Sequence, residues 1–272
     1  MMYLITNFLT LLGAFLIGGM EEGADTVSKR NEKLTVLCYN IHHANPPSKG
    51  AGFIDMDAIA NVITDHDPDV VALQEVDVNI NRSGNIDQAR ILAEKSGMKY
   101  YYFGKAIDHD GGDYGVAILS KHELSGMETI KLPADPETKS EPRVLAVATV
   151  EMANGFRFVF GTTHLEVRHE SNRLMQVAAI QRYAESLTLP FVIAGDFNAK
   201  PESESIKALD KTFQRTCEDC APTIPVINPT RAIDFIAFTP ADYFKVLRHE
   251  VVDETYASDH LPVYAELEVL PQ

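Results

Sequence analysis

Short apolar runs alternate with polar stretches along most of the chain, and turn residues bound each run. Runs of this kind are typical of β-strands. They predict strands at residues 34–40, 70–75, 100–104, 115–120, 143–151, 156–164, 190–195, 233–238 and 262–269. Several runs are apolar on both faces, as expected for strands that are covered on both sides. The Asn154-Gly155 pair between two of the runs predicts a hairpin.

Three other segments carry apolar side chains at helical spacing. Asp55 is placed to cap a helix that ends before Pro68, and Asp87 is placed to cap a second helix that stops at Gly97. A third helix is predicted at residues 172–187. Many strands with helices outside them predict a two-sheet α/β sandwich.

Polar side chains lie at the ends of these predicted strands. They are Asn40, Glu75, Asp113, His164, Asp196, Asn198, Asp234, Asp259 and His260. A rigid sheet can hold such side chains in one cleft. Hydrolysis of a phosphate ester needs these groups, namely a carboxylate base, carboxylates that bind a metal, and donors to the phosphoryl oxygens. Each residue alone fits a cap or a satisfied core group, but their number in one chain indicates a site.

The order of these motifs resembles the endonuclease/exonuclease/phosphatase superfamily, which includes DNase I-like nucleases, neutral sphingomyelinases and inositol polyphosphate phosphatases. The matching residues are Asn40, Gln74-Glu75, the Tyr-Gly-Val-Ala-Ile-Leu-Ser segment from Tyr114, Thr163-His164-Leu165, Gly-Asp-Phe-Asn at 195–198, Ile233-Asp234 and Ser-Asp-His at 258–260. The resemblance extends from about residue 34 to the C-terminus. It implies a DNase I-like α/β (α+β) fold, a four-layer αββα sandwich of two packed mixed β-sheets flanked by helices.

The candidate metal ligands are Glu75, Asn40 and Asp259. A hard divalent ion such as Mg²⁺ (or Mn²⁺) takes oxygen ligands and keeps several waters, so one or two carboxylates are enough to hold it. Glu75 is the best single candidate, and Asn40 and Asp259 would complete or orient the shell. The alternative for Asn40 is a cap at the strand end.

The candidate catalytic groups surround the attacking water. Asp196 is expected to act as its general base or to orient it. Asn198 would point to the same side as Asp196 if the strand before Asp196 continues to it. Its amide would then donate to a phosphoryl oxygen. His260 is expected to pair with Asp234, which would fix its tautomer and favour the imidazolium.

His164 is a second candidate imidazole, with Asp113 as its candidate partner by position. The alternative for Asp113 is an ordinary turn acid that follows two glycines. Arg143 begins a strand and fits either a phosphate contact or a surface salt bridge, and Tyr114 is a candidate substrate contact. Further candidates at the edge of the cleft are Arg82, Arg168, Arg173 and Arg231. The adjacent His42 and His43 are candidate substrate contacts, although neighbouring histidines on a loop more often face solvent.

The formal net charge of the chain is −15 over 272 residues. A protein that binds long nucleic acid usually has a basic surface, which neutralises the phosphates. We therefore expect a phosphate-ester substrate hydrolysed by in-line water attack, either a phosphodiester or a phosphomonoester. A nuclease acting on DNA or RNA is the alternative, and a non-catalytic binding protein on the same fold is the third. No protein partner is predicted.

Residues 1–20 contain no charged side chain and are almost wholly apolar. They predict an export signal, and the alternative is an uncleaved membrane anchor. The protein is accordingly expected to be secreted or periplasmic, or else anchored through this segment. Residues 21–33 form a polar lead-in. Residues 34–272 are expected to be one catalytic domain, since the candidate site spreads from Asn40 to His260.

The three cysteines lie in two different settings, one in a predicted strand and two in a loop. Cys38 lies within a predicted strand and should be buried. Cys217 and Cys220 fit a loop disulfide or free thiols, and they lack the further ligands of a zinc site. Three loops are expected near the cleft, at residues 42–53, 105–112 and 217–229.

Overall fold

The computed structural model describes residues 32–272. The strands in this part of the chain are β1 (Lys33–Asn40), β2 (Val70–Val78), β3 (Tyr100–His109), β4 (Gly112–Ser120), β5 (Glu123–Leu132), β6 (Arg143–Glu151), β7 (Arg157–His164), β8 (Phe191–Asp196), β9 (Gln214–Arg215), β10 (Asp234–Thr239), β11 (Phe244–Val251) and β12 (Val263–Val269). The helices are α1 (Met56–His66), α2 (Gln88–Ser96), α3 (Glu170–Glu185) and α4 (Glu204–Leu209). Single 3₁₀ turns lie at His42–Ala44, Asn81–Ser83, Pro136–Thr138 and Ala241–Tyr243.

The described strands form two six-stranded mixed sheets. The order in the first sheet is β11-β12-β1-β2-β4-β3, and in the second it is β5-β6-β7-β8-β10-β9. One neighbouring pair in each sheet is parallel, β1 with β2 and β7 with β8. Each parallel pair places the carboxyl ends of two strands side by side, which is where ligands bind in many α/β proteins.

Burial alternates along the central strands and builds four layers. In β1, Val36 and Cys38 pack in the core between the two sheets, whereas Leu37 and Tyr39 pack in a core that includes α1 and α2. A third core joins the outer face of the second sheet to α3 and α4. Successive side chains of a strand point to opposite faces, so strands covered on both sides are apolar throughout. The predicted αββα sandwich is therefore the observed fold.

Side-chain caps set the ends of the first two helices, as the sequence predicts. The carboxylate of Asp55 accepts a hydrogen bond from the backbone of Ala58, and α1 ends at His66, two residues before Pro68. Asp87 caps α2 in the same way, and the left-handed Gly97 ends it. The third helix is shifted from its predicted position and runs over Glu170–Glu185.

The sequence pattern missed two long edge strands. Glu123–Leu132 and Phe244–Val251 lie at edges of the two sheets, and most of their side chains are exposed or only partly buried. An edge strand with little buried surface lacks the continuous apolar run that the other strands show. The expected loop at 105–112 is also corrected, because these residues form the end of β3, the turn and the first residue of β4.

Cys38 is buried, and Cys217 and Cys220 form a disulfide, which settles the alternatives left open for this pair. Within residues 32–272 no helix is both long and apolar enough to span a bilayer. The export segment at 1–20 and nearly all of the polar lead-in lie outside the described residues. The first strand begins at Lys33, one residue before the expected start of the domain.

Candidate active site

Three site residues lie side by side on neighbouring strands of the second sheet. In the register of the sheet, Asp196 is opposite His164 on one side and opposite Asp234 on the other. The strand before Asp196 approaches its neighbour closely, because a Cβ at Gly195 would lie 2.2 Å from the carbonyl oxygen of Thr163. The glycine of the Gly-Asp-Phe-Asn motif therefore permits the strand pairing that brings the three side chains together.

The buried carboxylate of Asp196 is the centre of the site. Its Oδ2 accepts a hydrogen bond from Asn40 Nδ2 at 3.1 Å and lies 3.4 Å from His164 Nε2. The same oxygen lies 3.7 Å from His260 Nε2. Its Oδ1 accepts from the backbone N–H of Asn198 at 2.8 Å. One oxygen thus faces an amide and two imidazoles, while the other is fixed by the backbone.

The predicted pairing of His260 with Asp234 is confirmed. His260 Nδ1 and Asp234 Oδ2 are 2.9 Å apart, and both side chains are buried. This contact directs His260 Nε2 toward Asp196. The hydroxyl of Thr223 donates to the same oxygen of Asp234. The sequence indicated the 217–229 loop but gave no reason to choose Thr223 within it.

Burial and neighbouring charges shift three pKa values. Burial first, and then the charge of Asp234, raise the pKa of Asp196 to about 7. Burial acts to lower the pKa of His260, but the Asp234 carboxylate outweighs it and the pKa rises to about 10. Burial, followed by the charge of Arg143, holds the pKa of His164 well below its ordinary value. Near neutral pH the site therefore combines a cationic His260, a neutral His164 and an Asp196 that can exchange a proton.

A β-bulge positions Glu75. The register of β2 against β4 shifts between Gln74 and Val76, and Glu75 itself has a left-handed φ of 58°. Gln74 turns between the sheets and donates to Thr162 Oγ1 at 2.9 Å. Backbone strain of this kind is commonly kept at functional sites. The bulge directs the side chain of Glu75 into the cleft instead of the core. The sequence alone does not indicate this bulge.

Asn40 connects the two sheets through its side-chain amide. Its Nδ2 donates to Glu75 Oε1 at 3.2 Å and to Asp196 Oδ2 at 3.1 Å. Its Oδ1 accepts from the backbone N–H of His42 at 3.1 Å, and Ser258 Oγ donates to its backbone oxygen at 2.6 Å. In this arrangement Asn40 orients two carboxylates, and metal ligation through its Oδ1 stays a prediction.

The donor set around Glu75 fits a hard divalent cation. Burial, followed by the negative charge of Asp259, raises the pKa of Glu75, so the two carboxylates lie close enough to repel. A divalent ion would relieve this repulsion, and Mg²⁺ and Mn²⁺ both take carboxylate oxygens. The residues present therefore fit the predicted metal, and Glu75 and Asp259 would be its carboxylate ligands.

The predicted pairing of Asp113 with His164 is wrong. Asp113 lies 2.7 Å from Lys105 Nζ, and its side chain is 39% exposed. His164 Nδ1 has no hydrogen-bond partner within residues 32–272. Asp113 is the second residue of β4, beside the turn that joins it to β3, and it lies opposite Asp108 in this hairpin. Lys105 contacts both carboxylates. The alternative of an ordinary acid at a turn is the correct one.

Arg143 and Tyr114, both predicted substrate contacts, lie next to His164. Both are buried, and they line one small cavity with His164. Arg143 Nη1 is 3.0 Å from Glu141, while its Nε is buried without a hydrogen-bond partner within residues 32–272. The guanidinium is thus partly held by a salt bridge and keeps donor capacity next to His164.

The expected continuation of the strand to Asn198 does not occur. The strand ends at Asp196, and Asn198 adopts a left-handed φ of 49°. Its Nδ2 donates to the backbone oxygen of Leu165 at 3.0 Å. Asn198 therefore ties the ends of β7 and β8 together, and only its second amide hydrogen remains for a ligand.

Some of the other candidates at the edge of the cleft are held by protein partners, and others are free to contact a ligand. Arg82 makes two 2.8 Å hydrogen bonds to Asp77, and Arg173 binds Glu170 and two backbone oxygens, so both have structural partners. Arg168 lines a groove of about 340 Å³ beside Arg143. Arg231 is exposed, whereas His42 and His43 are partly buried and lie beside Glu75 rather than in open solvent.

Two layered sheets, a buried Asp–His pair and clustered carboxylates fit a hydrolase of phosphate esters. The model of the Endonuclease/Exonuclease/phosphatase family matches residues 37–260. The chain belongs to this family, whose members are hydrolases acting on phosphate esters.

Similar proteins agree with this assignment. Nocturnin of Rattus norvegicus is 27% identical over 165 residues, which cover 55% of this chain and 37% of nocturnin. The chain thus spans little more than a third of the length of that relative. A family structure from Beutenbergia cavernae has a TM-score of 0.75 and 26% identity, covering 87% of this chain and 72% of the other. A mannosyl-6-phosphatase structure from Bacteroides thetaiotaomicron has a TM-score of 0.68 and 23% identity, covering 86% and 99%, and shows the shared fold.

Proposed function

We propose that the protein hydrolyses a phosphodiester or phosphomonoester by in-line attack of water and depends on Mg²⁺ or Mn²⁺. Glu75 and Asp259 would hold the ion, which would supply charge stabilisation at the phosphoryl oxygens. The observation that carries the proposal is the position of Asp196, where one buried oxygen faces Asn40, His164 and His260.

Asp196 is suited to take the proton of the attacking water. A general base works best when its pKa lies near the operating pH, and the pKa of Asp196 is raised to about 7. The Asn198 backbone N–H holds Oδ1, and the amide of Asn40 directs Oδ2. The carboxylate is therefore fixed before substrate arrives, which reduces the reorganisation needed during reaction.

His260 and Arg143 are suited to stabilise the charge that develops on the phosphoryl group. The raised pKa of His260 keeps it cationic at neutral pH, and Asp234 holds its orientation. Arg143 is buried with an unpaired Nε within the described residues. Preorganised donors in a site with little water are worth several kcal/mol in the transition state, about 3–4 per donor in measured cases. His164 is neutral and can donate one further hydrogen bond.

The proposed substrate is a small phosphate ester outside the cytoplasm rather than a long nucleic acid. The net charge of −15 opposes broad contact with a phosphate backbone. The groove beside Arg143 is lined by Lys139 and Arg168 as well as by Glu141 and Glu166, so its cationic donors would contact a compact anionic group only over a short stretch. Export through residues 1–20 would place the enzyme in the periplasm or outside the cell, with an anchored form as the alternative. A nuclease remains the second candidate because the chemistry at phosphorus is the same.

A hydrolysis panel tests the function directly. Purified protein is assayed with sugar phosphates, inositol phosphates, sphingomyelin, an aryl phosphodiester, DNA and RNA, with Mg²⁺ or Mn²⁺ and with excess chelator. We expect turnover of a small ester that chelation abolishes and either metal restores. Glu75→Gln should lose this activity, whereas Glu94→Gln on the exposed face of α2 should keep it. Full activity in excess chelator would contradict metal dependence, and preference for DNA or RNA would favour the nuclease.

A further inference from the structure

His42 and His43 lie beside Glu75, outside the contacts that the proposed mechanism uses. One potential ligand atom from each of the three residues lies within 4.8 Å of the others. Two imidazoles and a carboxylate form a donor set that differs from the oxygen-rich pair of Glu75 and Asp259. Such sets are common for Zn²⁺ and related transition metals.

An unusual backbone brings the two histidines to the same side. His42, His43 and Ala44 have φ values of 45°, 43° and 58°, so three consecutive residues with a Cβ are left-handed. Neighbouring side chains of an extended chain would point apart. Here the two ring centroids are 4.5 Å apart. A run of left-handed non-glycine residues is strained, and such strain often persists where it serves a site.

Hydrogen bonds hold this backbone in place. The side chain of Gln88 donates to the backbone oxygen of His43 at 2.7 Å. The other end of the same amide accepts from the backbone of Asp77 at 2.9 Å, which ties the turn to β2. Glu75 lies on the same strand, at its bulge. The histidines and the carboxylate are thus positioned by one connected framework.

The imidazole of His42 is oriented as a metal ligand is. Its Nδ1 lies 2.8 Å from the backbone oxygen of Asn45, so this nitrogen carries the proton and Nε2 has a free lone pair. Metal-binding histidines usually donate their other ring N–H to a carbonyl or carboxylate in this manner. The carbonyl contact fixes both the tautomer and the direction of the ring.

His43 has a buried nitrogen whose hydrogen-bonding capacity is unused. Its Nδ1 is inaccessible to solvent and has no hydrogen-bond partner within residues 32–272. A buried polar atom without a partner is costly, and most such atoms are satisfied in folded proteins. A strained turn that holds two imidazoles beside a carboxylate is explained if the set binds a cation.

We propose that His42, His43 and Glu75 form a second cation site that takes a transition-metal ion of the Zn²⁺ type. Three protein ligands leave a position open for water or a substrate oxygen, as at catalytic zinc sites. The site shares Glu75 with the proposed Mg²⁺ site, and in that respect it rests on the proposed function. Asn40 donates to only one of the two carboxylate oxygens of Glu75, so a bridging carboxylate is compatible with the observed contacts.

Zinc binding without substrate tests the site. The metal-free full chain is titrated with Zn²⁺ against a chromogenic chelator in excess Mg²⁺, and we expect one tightly bound equivalent. His42→Asn and His43→Asn should each weaken Zn²⁺ binding by at least about 10-fold, the low end of what even outer-shell changes cost. Asparagine is chosen because it tolerates the left-handed backbone.

His66→Asn is the matched control. The Nδ1 of His66 also lies 2.8 Å from a backbone oxygen, that of Val62, but the ring is on α1 away from Glu75. This variant should bind Zn²⁺ like the parent. Equal affinity in all three variants would overturn the proposal, as would complete displacement of Zn²⁺ by Mg²⁺.

A measurement on the unchanged protein guards against variants that fail to fold. Co²⁺ substituted for Zn²⁺ should give the intense visible absorption of a four-coordinate ion, and only the weak bands of an octahedral ion would contradict the site. The two proposals also fail separately. A protein that binds Zn²⁺ but hydrolyses no phosphate ester overturns the proposed function alone, and one that hydrolyses without binding Zn²⁺ overturns the second site alone.

Discussion

His260 Nδ1 lies 2.9 Å from Asp234 Oδ2, and this contact turns the opposite ring nitrogen of His260 toward Asp196. The two residues come from distant parts of the chain, one from the start of β10 and the other from the loop before β12. Their contact explains both the raised pKa of His260 and the single orientation of its ring.

Asp234→Asn is therefore expected to lower kcat by about 100- to 1,000-fold, the usual cost of removing one transition-state donor. The amide keeps the shape of the carboxylate but removes the charge that stabilises the imidazolium. Steady-state kinetics and thermal unfolding are measured on the same preparation. Asp69→Asn is the control, because Asp69 forms a 3.2 Å pair with His122 away from the site. The control should affect stability but not turnover per folded molecule, and an equal loss of turnover in both would contradict the assignment.

Asp196→Asn should lower the rate by at least about 100-fold, the low end of general-base effects. The substitution keeps the volume and removes the proton acceptor. Because burial of the ionised carboxylate is costly, the variant should be at least as stable as the parent near neutral pH. If Asp196 only closes the turn toward Asn198, the variant would unfold more readily and keep its turnover. Rate and melting temperature together distinguish these results.

The pH dependence of activity follows from the same two groups. Activity needs an ionised Asp196 and a cationic His260, so kcat/KM should rise with pH through about 7 and fall through about 10. The two groups interact, so the profile gives values for the pair rather than for each residue. The profile is measured at saturating metal from pH 5 to pH 11, a window chosen to bracket both values. A flat profile across neutral pH would contradict the role of Asp196.

The stability of the fold should decrease with rising pH over the range in which activity increases. The folded pKa of Asp196 is raised from its ordinary 3.8 to about 7, so its contribution to stability is present below the ordinary value and lost as pH rises through about 7. The same sign holds for His260, between its ordinary 6.5 and about 10. The melting temperature of metal-free protein should therefore fall as pH rises from about 4 to about 7, and Asp196→Asn should flatten this part of the decline. An equal decline in the variant would assign it to other groups.

Asn198 is expected to act through both its amide and its backbone. Asn198→Ala removes the hydrogen bond to Leu165 and places alanine at a left-handed φ, so the rate should fall by up to about 100-fold, with some loss of stability. Asn198→Gly removes the same amide but tolerates the backbone. If the glycine variant recovers stability without recovering the rate, the amide itself contributes to catalysis. Full recovery of the rate would assign the effect to backbone strain.

The sequence pattern predicted a two-sheet sandwich, and the resemblance of its motifs implied the four layers. It also indicated many of the polar residues that the structure brings together. Buried strands are apolar throughout, and polar residues at their ends are visible in the sequence, as for Asn40, His164 and Asp196. The register of a parallel pair then brings strand ends together. The Asp234–His260 pair was also predictable, because their roles follow from the resemblance of the motifs.

Other features depend on geometry that the sequence pattern does not contain. The bulge at Glu75 and the left-handed turn at Asn198 each break the strict alternation of a strand. Asp113 pairs with Lys105 on the neighbouring strand, a partner that sequence position alone does not specify. Thr223 reaches Asp234 from a long loop, where no periodicity indicates which side chain points inward.

The amide of Asn40 donates to Glu75 from its own sheet and to Asp196 from the other sheet. The site therefore exists only while the two sheets are docked, and neither half of the sandwich contains it alone. Enzymatic activity should report on sheet docking: a folding intermediate with one ordered sheet would keep much of its secondary structure and hydrolyse nothing. During refolding, the return of activity would then mark the closure of the interface between the sheets.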